Sequence, residues 1–387
     1  MIASIIALTI IPLLSASLVH AASTSHAPIS INGNTQLAAA SNGGGDGTAG
    51  NPYIIENYVI SASSANGIVI QNTTAYFIVR NCLVENGGST YHGIYAGIYL
   101  DNVVNGKIEN NTCSNNGDGI SLWYSPYNNL TNNTCENNTY SGISLWYSSY
   151  NNLTNNTCEN NNTGIYPSGS SNDNLTNNTC SNNTWNGFFL NGSSNDNLTN
   201  NTCNNNHNGI SLNGVSIDNT TGSTCENNNL TNNTCSNNNM NGILLNGFSN
   251  VNRTNNNCNN ILTNNTCENN NYGIYLGGSD NNRIYHNNFI NNSTQAYDND
   301  ANYWDNGYPS GGNYWSDWQS PDADNNGIVD NPRTITGGTN QDHYPLIALW
   351  TPSWTPPSAL TRWPLIAVIV GAIVVIGIVA VVYMRRR

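Results

Sequence analysis

The phrase Leu-Thr-Asn-Asn-Thr-Cys returns at Leu130, Leu153, Leu175, Leu198, Leu230 and Leu262, with variants beginning at Ile108, Arg253 and Ile284. Counted through Thr220, the starts at 108, 130, 153, 175, 198 and 220 lie 22 or 23 residues apart. A unit this short cannot enclose a core of its own, so such units must stack and share one. A second marker keeps the same beat: Gly followed by an apolar residue at Gly97, Gly119, Gly142, Gly164, Gly187, Gly209, Gly242 and Gly273. Soon after Thr220 and Arg253 the phrase restarts, which predicts a protruding loop or an irregular coil at each place.

Around the second marker the pattern alternates, as in Ile120-Ser-Leu122 and Ile143-Ser-Leu145, so one side of each short strand is apolar. No helical period intervenes, which excludes βαβ units and leaves parallel pairing of coil on coil. The expected fold is therefore all-β, a parallel β-helix solenoid of 22-residue coils.

Only 8% of the 387 residues are charged, and the formal net charge is −13. Nucleic acid is excluded as a partner because phosphate binding needs clustered Lys and Arg. Extracellular glycans, envelope components and cations are compatible with this surface.

The two ends predict a surface location. Residues 2–19 are apolar and precede His20-Ala-Ala, the pattern of a signal peptide, although no Lys or Arg stands before the run. The 20 apolar residues 364–383 match a transmembrane helix, at about 1.5 Å per residue across about 30 Å. Arg385, Arg386 and Arg387 follow, which places the C-terminus in the cytoplasm and the rest outside. The expected organisation is a signal peptide (1–22), an N-terminal cap or linker (23–50), coils (51–297), a C-terminal cap (298–349), a Pro-rich stalk (350–362), a membrane helix (363–384) and a cytoplasmic tail (385–387).

Comparison of the coils with one another defines two columns. Asn111, Asn133, Asn156, Asn178, Asn201, Asn233, Asn256, Asn265 and Asn287 share one position, interrupted at Ser223. The expectation is an inward Asn in left-handed backbone at a tight turn, bonding its amide to the next coil about 4.8 Å away as a structural ladder. Cys113, Cys135, Cys158, Cys180, Cys203, Cys235 and Cys267 form the second column, replaced by Phe289 in the last coil. Three readings stay open for it: buried free thiols, disulfides between successive coils, or soft-metal ligands. Asn-x-Ser/Thr sequons stand beside the ladder, for example at Asn129, Asn132, Asn152 and Asn155; they suit N-glycosylation, or simply Asn-rich turns.

The coils, together with Gly311-Gly-Asn-Tyr-Trp-Ser-Asp-Trp318, the run from Pro321 to Asp330 and Asn340-Gln-Asp-His-Tyr-Pro-Leu346, resemble the NosD-like β-helix proteins, the periplasmic copper-binding or carbohydrate-binding and sugar-hydrolase repeats. The resemblance spans about residues 50–346. It implies a right-handed parallel β-helix related to pectate lyases, and it implies function only weakly, since fold does not fix chemistry.

Asp322, Asp324, Asn326 and Asp330, with Gly327, occupy the first, third, fifth, ninth and sixth positions of a calcium loop. Arg333 stands where a bidentate Glu would, so Asp317 or Asp342 would have to supply that ligand. Outward on the Gly-Ile strands lie Tyr99, Asp101, Trp123, Trp146, Tyr166 and Phe189, a face suited to stacking on sugar rings. A glycosidase needs two carboxylates across one cleft. Asp101 is nearly alone on that face, and Asp173, Asp196 and Asp218 share a turn column in which stacked like charges favour a bound cation or a protonated member. Copper rests on the resemblance alone, because His20, His26, His92, His207, His286 and His343 share no column. The reading is a non-catalytic, carbohydrate-binding or envelope protein at the cell surface; its rivals are a polysaccharide lyase or hydrolase, and copper delivery.

Overall fold

The computed structural model describes residues 23–90, 93–214, 225–247 and 259–352. The expected signal peptide, nearly all of the stalk, the membrane segment and the tail lie outside the described residues. So do His20, His92, Asp218, Thr220, Ser223, Arg253 and Asn256. Among the described residues no helix is long and apolar enough to cross a membrane.

Each coil makes three strands. In one of them Asn129–Thr131 is followed by Thr134–Glu136 and then by Ser141–Trp146. Equivalent strands stack into three sheets of 10, 13 and 11 strands, here named for their inward residues the Leu, Cys and Gly-Ile sheets. Successive coils pair in parallel and in register: Leu130 on Leu153, Cys135 on Cys158, Ile143 on Ile165. Period-two alternation sends Leu130, Cys135, Ile143 and Leu145 into the interior, where all are fully buried. The glycine before Ile143 is required by close approach, since a Cβ on Gly142 would lie 2.7 Å from Gly164 O and 2.8 Å from Cys158 Cβ. Strands Thr24–Ser25 and Ile29–Asn32 already belong to the Cys and Gly-Ile sheets, and the short helix Asn34–Ala40 buries Leu37 beside them. At the other end Phe289 takes over the thiol position and stacks on Trp315 at 4.3 Å.

The three corners of a coil share one device. Asn132, Asn137 and Tyr127 adopt φ of 56°, 56° and 60°, and each is followed by a buried amide, Asn133, Asn138 or Asn128. The expected single residue doing both jobs is therefore corrected: an outward residue takes the left-handed backbone, and its inward neighbour makes the ladder. The positive φ falls on the residue before the buried amide, so the turn residue faces outward and the next side chain faces in. In the first ladder Asn133 Nδ2 donates to Asn156 Oδ1 at 3.0 Å and to Ile108 O at 2.8 Å. The same ladder runs from Asn111 through Asn156, Asn178, Asn201, Asn233, Asn265 and Asn287 to Asn313.

The register after Leu198 differs from the expectation. Leu198 pairs with Leu230 and Leu230 with Leu262, so two successive coils are 32 residues long. The rungs after Leu198 are thus Leu230 and Leu262, and residues 215–224 and 248–258, which fall in those two coils, lie outside the described residues. Asp196 consequently stacks on Asn228, which removes Asp218 from the acidic column.

Candidate functional site: an aromatic groove on the Gly-Ile sheet

The outward face of the Gly-Ile sheet carries the aromatic residues. Trp123 pairs with Asp101 on one side and Trp146 on the other; Tyr99 and Ser121, then Ser144 and Tyr166, occupy the neighbouring column. The rings form a broken stack. Trp123 and Trp146 lie parallel at 5.2 Å, Tyr166 and Phe189 parallel at 5.3 Å, and Trp146 meets Tyr166 edge to face at 5.2 Å. Parallel stacking covers the faces that two rings turn toward each other, so the ladder of rings offers mainly its edges outward.

An open groove of about 430 Å³ lies beside that stack. Trp146, Tyr166 and Phe189 line it as a stack of rings, joined by Tyr140 and Trp185 from the turns before the strands. Asp118, Ser141, Thr163 and Asn186, the first residues of four successive strands, lie along it with Asn162. These strands stack along the solenoid axis, so the groove runs parallel to it. Three of the six expected carbohydrate-binding residues thus come together. Tyr99, Asp101 and Trp123 lie on the same face in earlier coils, outside the groove.

Asp118, Tyr140 and Trp185 are absent from the sequence expectation. Asp118 is buried; Oδ1 accepts Ser141 N at 2.9 Å and Oδ2 lies 2.8 Å from Ser144 Oγ. Burial pushes its carboxyl up to about 6, only partly opposed by those hydrogen bonds. The groove lining contains no Lys, Arg or His. Asp101 lies far from Asp118: Trp123 pairs with Asp101 while Asp118 pairs with Ala96, an offset of roughly 16 Å along the strands. That exceeds the roughly 5–9.5 Å separation of glycosidase carboxylates.

The metal expectations divide. Asp322, Asp324 and Asp330 bring carboxylate oxygens within 4.8 Å of one another. Those carboxylates also accept backbone N–H groups from Gly327, Asn326 and Ala323. The supplementary ligands expected of Asp317 and Asp342 do not reach the loop. Asp317 pairs with Arg333 at 2.7 and 3.0 Å, and Asp342 is buried beneath Asn313 and Trp315, whose N–H groups it accepts at 2.8 Å. The four described histidines are scattered: His26 beside Tyr58, His207 beside Trp185, His286 on Trp350 and His343 paired with Asp305. The thiol column is free and buried, and burial holds Cys135, Cys158, Cys203 and Cys267 well above the usual thiol range. Copper favours imidazole and thiolate ligands, and among the described residues these do not assemble into an accessible set.

Three parallel sheets wound from short coils, with an aromatic groove along one of them, define a parallel β-helix of the kind typically right-handed. The chain belongs to the family described as periplasmic copper-binding protein (NosD), whose profile matches residues 50–183, 89–257 and 176–320. Among solved structures it is similar to pectate lyase Pel9A, at 16% identity and a TM-score of 0.50 over 86% of this chain and 91% of that one. It is also similar to the Dettilon tailspike protein, at 13% identity and a TM-score of 0.51 over 76% of this chain and 58% of the other. At these identities the likeness is one of fold. No curated protein matches the chain by sequence.

Proposed function

We propose that the chain is a non-catalytic, carbohydrate-binding β-helix held outside the cytoplasm, and that its ligand is an uncharged glycan lying along the groove. The groove itself carries this reading: aromatic side chains for sugar rings and a hydroxyl, amide and carboxyl lining for their hydroxyl groups. Its charge selects the class of glycan. With Asp118 present and no cation lining it, a polyuronate would meet like charge without a counter-ion. A single carboxyl, far from Asp101, supports binding over hydrolysis. The periplasmic description of the family and residues 364–383 as a membrane anchor support display outside the cell membrane. The carboxylate loop at Asp322, Asp324, Asn326 and Asp330 would suit calcium as a hard, all-oxygen ligand set bracing the C-terminal cap.

The test is a glycan array and a turnover assay on the full chain and on a Trp146→Ala/Tyr166→Ala double variant. Binding of neutral glycans without turnover, lost in the variant, is the expected result. Product release from any glycan would overturn the non-catalytic reading, and unchanged binding by the variant would move the site elsewhere.

A further inference from the structure

The third ladder follows the corner between the Gly-Ile and Leu strands, and its amide rungs use both ends of the side chain. Oδ1 accepts the backbone N–H of the preceding rung, as Asn260 Oδ1 does from Asn228 N at 2.8 Å. At several rungs Nδ2 donates to the carbonyl three residues before the preceding rung, whereas Asn151 donates to Ser148 O of its own coil at 2.7 Å. Asn228 reaches Ser193 O at 3.2 Å, Asn260 reaches Cys225 O at 3.1 Å and Asn302 reaches Ser279 O at 2.7 Å. Each amide is thus an acceptor on one side and a donor on the other.

Asp173 and Asp196 replace the amide at two successive rungs. Their Oδ1 atoms keep the accepting role, from Asn151 N at 2.7 Å and from Asp173 N at 2.8 Å. Their Oδ2 atoms are buried and have no hydrogen-bond partner. Ionised, each buried Oδ2 would hold charge with no donor to meet it, and the two carboxyls of successive rungs would repel each other. A proton on Oδ2 removes that charge and gives each acid both an acceptor and a donor, as the amide rungs have.

We propose that Asp173 and Asp196 are held as neutral carboxylic acids at neutral pH, standing in for two Asn rungs and forming a proton-dependent seam across the solenoid. Burial pushes Asp173 up to about 8 and holds Asp196 well above the usual carboxylate range, where the nearness of Asp173 adds to it. The titratable groups bearing on the pair are each other and Cys225, whose thiol is raised by burial and by Asp196. Among the described residues no cation acts on either carboxyl. Because the folded value for Asp173 lies above 3.8, the folded chain holds its proton after the unfolded chain has released it. The seam's stabilisation is complete below 3.8 and is lost as pH rises to about 8.

The experiment compares the full chain with Asp173→Asn/Asp196→Asn, a variant that restores the residue of the neighbouring rungs Asn151 and Asn228. Infrared spectra at neutral pH should show a protonated-carboxyl C=O band in the parent that is diminished in the variant. The parent's melting temperature should fall more steeply than the variant's as pH is raised toward about 8. Identical carboxyl bands would overturn the proposal. So would a parent melting temperature that rises with added calcium or sodium while the variant's does not, because that would put a cation, not a proton, between the rungs.

Discussion

Ser144 Oγ reaches back one coil to lie 2.8 Å from Asp118 Oδ2, fastening the one carboxyl of the groove to the strand that carries Trp146. The bond holds the carboxyl in place while burial pushes its titration up to about 6. An ionised carboxylate is the stronger acceptor for sugar hydroxyls. Glycan affinity is therefore expected to rise as pH increases through about 6, and Asp118→Asn should flatten that profile. Stability runs the other way. The folded value exceeds 3.8, so Asp118's contribution is complete below 3.8 and lost by about 6. Calorimetric titration across this range, paired with thermal melts, separates the two trends; parallel profiles for parent and variant would remove Asp118 from the site.

Trp123 and Trp146 stack on each other yet should behave differently. Trp146 lines the groove and Trp123 does not. Trp146→Ala should weaken glycan binding by about tenfold or more, the effect of losing a central aromatic anchor worth about 1.4 kcal/mol or more. Trp123→Ala should cost less than about threefold. Equal losses would show that the ring stack as a whole, and not the groove, is the platform.

Stacking made much of this legible in the sequence. Because each coil must lie on its like, a phrase such as Leu-Thr-Asn-Asn-Thr-Cys reports a structural position, and alternation reports its face. Trp146, Tyr166 and Phe189 were found that way. Asp118, Tyr140 and Trp185 were not. Tyr140 and Trp185 stand in turns, where alternation assigns no face, and Asp118 begins a strand in a column that has Ala96 before it and uncharged Ser141, Thr163, Asn186 and Asn208 after it. The register beyond Leu198 was hidden because residues 215–224 and 248–258 repeat the local phrase, and only the pairing of Leu198 with Leu230 distinguishes a rung from its copy. The second ladder, including Asn138, Asn161 and Asn183, was masked by the abundance of Asn around it.

Calcium and copper make opposite predictions for the C-terminal cap. Carboxylate oxygens gathered within 4.8 Å suit a hard cation. Millimolar calcium should raise the melting temperature of the full chain, and Asp324→Asn should abolish the rise. Stabilisation of about 1–3 kcal/mol is the scale expected for a site well above half saturation. Stabilisation by copper with none by calcium would reject the assignment.

Asn177 and Asn178 are neighbours with separable roles, and a pair of substitutions should divide them. Asn178 is fully buried. Its Oδ1 accepts Asn156 N and Nδ2 at 2.9 and 3.0 Å, and its Nδ2 donates to Leu153 O at 2.9 Å and Asn201 Oδ1 at 3.1 Å. Asn178→Ala strands these partners inside the solenoid, where each buried unsatisfied group costs about 1–3 kcal/mol. Asn177 is exposed, with φ at 56°. Asn177→Ala should cost only about 1 kcal/mol, because it keeps the Cβ in left-handed backbone but loses the short amide that lets Asn adopt it, and Asn177→Gly, with no Cβ, should restore most of it. Urea melts of the three variants measure the difference. If Asn177→Gly were as damaging as Asn178→Ala, the outward residue would also bear on the ladder, and the division of labour at the corner would be wrong.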